Sequence, residues 1–357
     1  MILILLDLSA MFFVHRFPSF FFPAYRSFSR QWISLLAALF SFTHMSVWDA
    51  GAAVLFLLFL YSVIQMIRKR QSFLNWLSCI VLIVSILVTE AIGGWLLNHY
   101  APPLSEYLDL TVSEYSVEEL YEAADYYLHK ASAYSERIER DENSHAVRQD
   151  FNSLSDTAGA SYRSLSDTWP VFSGSSRPVK KFTLIGEYLL YNGIIGMFMP
   201  ITGEASVPAN VPVIPLPFTM CHEAAHRLGI ASEQEANFAA FLACISSEDE
   251  RFLYSGYYSA FGYCLSSLYS VSPDKVKELR EKYDAPAIML VFLDRADTRA
   301  AYDRYDSPLQ EVSDNINDTY LKTFSQESGI RSYGEVTDYL IAWYLSGRDP
   351  SEYQNHQ

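Results

Sequence analysis

"CHEAAHRLGIASEQEANFAAFLACIS", residues 221–246, decides how this chain is built around its chemistry. Two histidines stand four apart with a glutamate after the first, a glycine follows, and a group of acids opens an apolar run. Pro217 suits a first helical position and Gly229 a left-handed C-terminal stop, so the segment between them predicts a helix. Cys221, Ala224, Ala225 and Leu228 recur at i, i+3, i+4, i+7 and form its buried stripe. His222 and His226 then stack on the adjoining face, where two imidazole nitrogens can converge on one ion. Glu223 points about a third of a turn away, within reach of a water held by that ion. In such an arrangement a zinc-polarised water passes its proton to the glutamate and attacks a carbonyl.

A catalytic zinc takes three protein ligands and keeps one open position. His356, in the terminal tail, is the only histidine after His226, and Ser232 stands where a three-histidine site would place its third. The remaining candidates are acids: Glu235 first, then Glu233, then Glu248, Asp249 and Glu250. Ser232 and Glu235 also spell a capping box, the plain reading of Glu235. The following "ANFAAFLACI" is apolar almost all round, however, and a carboxylate at the start of a buried helix is costly without a cation. With Gly229 turning the chain, the expected ligand set is His222, His226 and Glu235, with Glu223 as general base. Asn237 is placed to support a histidine or to serve as an interhelical amide. Cys221 lies on a different helical face and reads as packing.

The rest of the chain sets this motif beside a membrane. Residues 1–100 carry six basic side chains against three acidic ones, which leaves about −18 of the formal −15 net charge on residues 101–357. An acidic body repels phosphate, so nucleic acid is excluded as a partner. "GAAVLFLLFLYSVIQMI", 51–67, and "WLSCIVLIVSILVTEAIGGWLL", 76–97, each approach the roughly 20 residues that span a bilayer. The opening "MILILLDLSAMFFV" reads as an uncleaved first span or signal anchor, giving about three transmembrane helices in a membrane domain over 1–100. "WISLLAALFSF", 32–42, is too short to cross and reads as interfacial. Arg68, Lys69 and Arg70 belong inside by the positive-inside tendency, which sends the body out, whereas Arg16, Arg26 and Arg30 pull the other way. Asp7 and Glu90 read as paired or interfacial carboxylates.

In the body, "SVEELYEAADYYLHKASAYSERIER" starts with a capping box and continues as an amphipathic helix. "FTLIGEYLLYNGIIGMFMPITGEASVPANVPVIPLP" has the composition of short strands and turns, with Glu204 as a turn residue. His129 and His145 read as solvated. Four cysteines make no disulfide framework.

"HEAAHRLG" followed by "EQEANFAAFLAC", with "GIIGMFMPITGEASVPANVP" upstream and the apolar spans before it, resembles the bacterial membrane-anchored family known as domain of unknown function 3810, itself similar to zincin metallopeptidases. The resemblance covers most of the chain. It implies an α+β, mostly helical fold: N-terminal transmembrane helices, then a zincin-like domain over 101–357 whose short sheet edges the helix with the histidines. It implies His222 and His226 as zinc ligands, Glu223 as base and Glu235 as the glutamate of a gluzincin-type site, although the interval from His226 to Glu235 is shorter than in thermolysin-like enzymes. It further implies a peptide or protein substrate added to the upstream strand segment and a place in the bacterial cell membrane, and the basic cluster at 68–70 puts the catalytic domain on the extracytoplasmic side. An oxyanion donor must come from a tyrosine, with Tyr254, Tyr257, Tyr258 and Tyr333 as candidates, or from Arg331. The competing expectation is a membrane-anchored binding or scaffold protein whose zinc is structural or whose site is inactive.

Overall fold

Ser116 accepts the amide of Glu119 while the Glu119 carboxylate accepts the amide of Ser116, and this reciprocal cap starts a long helix where the sequence predicts one. In the computed structural model, which describes residues 2–310, 313, 315 and 332–348 without the side chains of 332–335, that helix is α6 (Val117–Ser135). Its stripe of Leu120, Ala124, Tyr127, Leu128 and Ala131 is buried against α12 (Glu250–Val271) and α14 (Pro286–Asp303). The Tyr127 hydroxyl donates to the carbonyl of Leu340 in α15 (Ser332–Ser346). One apolar core runs through these helices and through α10 (Leu216–Arg227) and α11 (Glu233–Ile245).

The fold is mostly helical with one small sheet. Before the helical core come α1 (Ile2–Arg16), α2 (Pro18–Leu39), α3 (Val47–Arg68), α4 (Phe73–Gly94), a 3-10 turn at Leu96–Tyr100 and the single turn α5 (Leu104–Tyr107). After α6 follow α7 (Phe151–Ala160), α8 (Arg163–Thr168), β1 (Lys180–Phe182), α9 (Gly186–Tyr191), β2 (Met197–Met199) and β3 (Glu204–Pro208); α13 (Pro273–Glu281) joins α12 to α14. Strand order is β1-β3-β2: β1 runs parallel to the central β3, and β2 pairs antiparallel with it on the other side. Thus β2 is an edge, and the sheet lies against α10.

Among the described residues, two helices are long and apolar enough to cross a membrane, α3 and α4 with its 3-10 extension. The expected third span, α1, has 15 residues and is only about 22 Å long, short of a hydrocarbon core of about 30 Å. The stretch at 32–42, expected to be too short to cross and to lie at the interface, falls largely in the 22-residue α2, which buries Phe22, Ser29, Ile33 and Ala37. Asp7 accepts from the Thr89 hydroxyl at 3.0 Å and Glu90 Oε1 from the Trp32 indole at 2.8 Å, so each carboxylate has a partner on a neighbouring helix, while Glu90 Oε2 is buried without one among the described residues.

Residue 100, the expected domain boundary, falls inside a packed region. Glu204 accepts the amides of Val47 and Trp48, the first two residues of α3, at 2.9 and 2.8 Å, and pairs with Lys180 at 2.7 Å. In return Asp49, fully buried in the first turn of α3, accepts the amides of Thr183, Leu184 and Ile185 ahead of α9. Glu204, expected in a turn, therefore opens the central strand and completes the N-terminus of the apolar helix α3. Carboxylates near helix N-termini are favoured by the unpaired amides and the helix dipole.

Candidate metal centre

Helix α10 buries Cys221, Ala224, Ala225 and Leu228 as the stripe predicts, and Gly229 ends the segment at φ +85°. A side chain at 229 would meet strain there and the Asn98 amide at 3.1 Å, so glycine lets the chain reverse beneath the 3-10 turn. Four residues later α11 begins with Glu233, and α10 and α11 pack side by side.

The reversal brings Glu233 to the histidines. Its carboxylate oxygens lie 3.3 Å from His222 Nε2 and 3.7 Å from His226 Nε2, and the two imidazole nitrogens are 3.1 Å apart. Ligands of a tetrahedral zinc, at bond lengths near 2.0–2.1 Å, stand about 3.3 Å from one another. Three donor atoms at these separations could hold one cation. His226 Nδ1 donates to the Ile230 carbonyl at 2.8 Å, which directs the lone pair of its Nε2 toward the cluster. The side chains of His222 and Glu233 keep 13 % and 16 % of their exposure, so the cluster is reached from one side.

Glu235, the expected third ligand, does not join them. Its Oε1 accepts the Leu104 amide at 2.7 Å and the Tyr339 hydroxyl at 3.0 Å. Two positions along a helix is about 200° of rotation, so when Glu233 faces α10, Glu235 faces α5 and α15. The anticipated capping box is also absent, since the Ser232 side chain makes no cap hydrogen bond. Burial raises the Glu235 carboxyl above its usual range, while the bonds from Leu104 and Tyr339 oppose the shift. Of the later acids, Asp249 caps α12 and Glu250 pairs with Arg137.

The electrostatics of the three clustered groups are coupled. Burial works against a charged His226, but the Glu233 carboxylate outweighs it and holds the imidazole up at about 9. Burial would likewise keep Glu233 neutral, yet His226 and His222 hold its carboxyl well below the usual range. Protonated imidazole thus balances the Glu233 carboxylate, and a cation held by the three groups would replace that proton and use the Nε2 lone pairs.

Glu223 lies next to the cluster on the sheet side. Burial pushes its carboxyl up to about 7, against the pull of His222 and His226, and its Oε2 has no protein partner among the described residues. A Cβ at Gly196, the residue before β2, would sit 2.2 Å from Glu223 Oε1. Glycine at 196 is what allows the carboxylate to lie against the start of the edge strand.

The tyrosines proposed as oxyanion donors sit elsewhere. Tyr254 and Tyr258 bond to Asp294 and Thr298 on α14, and Tyr257 stacks on Tyr134. The side chain of Tyr333, and Arg331 and His356 altogether, lie outside the described residues. Tyr263, which the sequence did not single out, is near the cluster: its hydroxyl donates to Asn237 Oδ1 at 3.0 Å, and burial with the Glu233 carboxylate keeps it un-ionised. Asn237 therefore holds a tyrosine, not a histidine. Its place on α11, one helical turn from Glu233, is the signal that could have led to Tyr263. Cys221 is packed in the core, with Ser161 3.5 Å from its sulfur.

A second neighbour was equally hidden. Trp95, directly after α4, donates its indole N–H to the His226 carbonyl at 2.7 Å and packs on Phe198 of β2, joined by Ile33 and Ala231. His99, one turn further on, lies edge-on to Trp95.

The chain matches the family described as protein of unknown function (DUF3810) over residues 25–341 and belongs to that family. The match runs from α2 to α15 and includes the apolar helices with the body. No curated protein and no solved structure matches it.

Proposed function

We propose that this member of the family is a membrane-anchored, zinc-dependent metallopeptidase with a zincin-like site. The observation that carries the reading is the convergence of His222, His226 and Glu233 at tetrahedral separations, with Glu223 beside them and its Oε2 without a protein partner among the described residues. His222 Nε2, His226 Nε2 and a Glu233 oxygen are the ligands. Zinc bound there supplies a Lewis acid that polarises the substrate carbonyl and acidifies water. Glu223 takes the proton of the attacking water and returns it to the leaving nitrogen, a task suited to a carboxylate raised toward neutrality by burial. The antiparallel edge β2 offers its backbone to an extended substrate next to Glu223. Tyr263, whose hydroxyl is held by Asn237 one helical turn from Glu233, is the residue assigned to the oxyanion.

The helices support an orientation for the same reading. The Arg68–Lys69–Arg70 turn lies at one end of the α3–α4 hairpin and the body at the other. Arg30 donates to the carbonyls of Pro170 and Val171, so it is engaged by the body and is no free topological charge. The basic turn then faces the cytoplasm and the site faces out.

The test is zinc content of the full chain in lipid nanodiscs, followed by binding of a hydroxamate. One zinc per chain that accepts the inhibitor supports the peptidase. A protein without zinc, or with a chelator-resistant zinc that ignores the inhibitor, supports the scaffold instead.

A further inference from the structure

Helices α3 and α4 have 22 residues each, about 33 Å of helix, and a bilayer core of about 30 Å requires nearly all of that length. With the basic turn at one boundary, the opposite boundary falls at Val47–Trp48 on α3 and at Gly94–Trp95 on α4. Those residues are the ones bonded to the site. Val47 and Trp48 donate to Glu204, which pairs across the ladder with Met199 of the edge strand. Trp95 donates to the carbonyl of His226. The Trp32 indole, against Glu90 and Gly94 of α4, and the Trp95 indole stand at this level, where a ring with an apolar body and a polar N–H is at home. Beside them α1 descends along α4, its Asp7 bonded to Thr89, and exposes Leu5, Leu8 and Phe12.

The metal cluster and the edge strand therefore stand at the membrane surface, although 131 positions separate Trp95 from His226 in sequence. Resting on the peptidase reading above, we infer that the substrate is the juxtamembrane segment of another membrane-inserted polypeptide, cut within a few residues of where it leaves the bilayer. An extended chain advances about 3.3 Å per residue, so a bond about three to five residues beyond the hydrocarbon boundary is already level with β2. Such a segment reaches the edge strand without any folded domain having to approach the lipid. The step is hydrolysis: the peptide C–N bond breaks, the oxygen of water goes to the acyl carbon, and its proton goes through Glu223 to the amine.

The experiment uses the zinc-loaded full chain in nanodiscs with reporter polypeptides that carry one transmembrane helix and a degenerate scissile segment, read by mass spectrometry. The segment is placed about 5 or about 25 residues from the membrane edge, and the same segment is offered free in solution; the near placement should be cut at least about tenfold faster than either. Faster cutting of the far or the free segment overturns the inference and leaves the peptidase intact. An activity-independent reading accompanies it: a nitroxide on Met199→Cys should report the lipid interface by its accessibility to oxygen and to a water-soluble nickel complex. A label fully in water overturns the placement. A label at the interface with no segment cut by wild type overturns the peptidase reading, and this substrate with it.

Discussion

The indole N–H of Trp95 donates to the backbone carbonyl of His226 at 2.7 Å, joining the end of the apolar helix α4 to a residue of the His222–His226–Glu233 cluster. Trp95→Phe keeps the ring against Phe198 but removes this donor. The expected cost is about 1 kcal/mol of stability and on the order of a tenfold loss in zinc affinity. Trp76→Phe is the control, because it removes a comparable indole bond, to Ser62 at 3.1 Å, far from the cluster. Competition with a chromogenic chelator reads both variants, and equal affinities would separate Trp95 from the site.

Glu233, the second candidate of the sequence, stands with the histidines, whereas Glu235, the first, is bonded to Leu104 and Tyr339. Glu233→Ala should leave the full chain folded and without zinc after gel filtration. Glu235→Ala should retain zinc but lose about 1–3 kcal/mol, since it abandons the buried Leu104 amide and the Tyr339 hydroxyl. Metal analysis beside thermal melting distinguishes the two, and loss of zinc in the Glu235 variant alone would reverse the assignment.

For Glu223 the expected signature is a split between binding and turnover. Glu223→Gln should hold zinc normally while turnover falls at least about a hundredfold. Gly196→Ala should mimic it without touching the carboxylate, because the new methyl lies 2.2 Å from Glu223 Oε1 and must displace it. A shift of about 1 Å can cost about a hundredfold in rate. Unchanged turnover in Gly196→Ala would mean that Glu223 need not lie where it does.

The pH response of the body has one clear reporter. The Asp297 carboxylate, 2.5 Å from His145, raises the imidazole above its ordinary 6.5. A raised folded value means that the pair stabilises the protein below 6.5 and loses that contribution as pH rises through the folded value. NMR titration should find His145 above its unfolded value in wild type and near it in Asp297→Asn. Both side chains are exposed, so the melting temperature should move little.

What the sequence made legible was periodic or local: the buried stripe of α10, the glycine stop, the capping box of α6 and the two long apolar helices. The third member of the cluster was not legible, because choosing between Glu233 and Glu235 requires the rotation of α11 about its axis. The turn from Gly229 to Ser232 sets that rotation, and Ser232 with Glu235 spelled a cap that does not form. Trp95, Tyr263 and the true partners of Glu204 escaped for a different reason. Each contact joins segments far apart in the chain, and no spacing rule reports on them.

The reciprocal grip of Asp49 and Glu204 bears on how the molecule can be divided. Severing the chain at residue 100 would strip Glu204 of two amide donors while leaving it and Lys180 inside, and would take the Asp49 carboxylate from the amides of residues 183–185. It would also bare Phe198 and Ala231, which Trp95 and Ile33 cover. A fragment prepared by trimming away the apolar N-terminal helices would be a damaged protein, and silence from it would carry no information about the intact one.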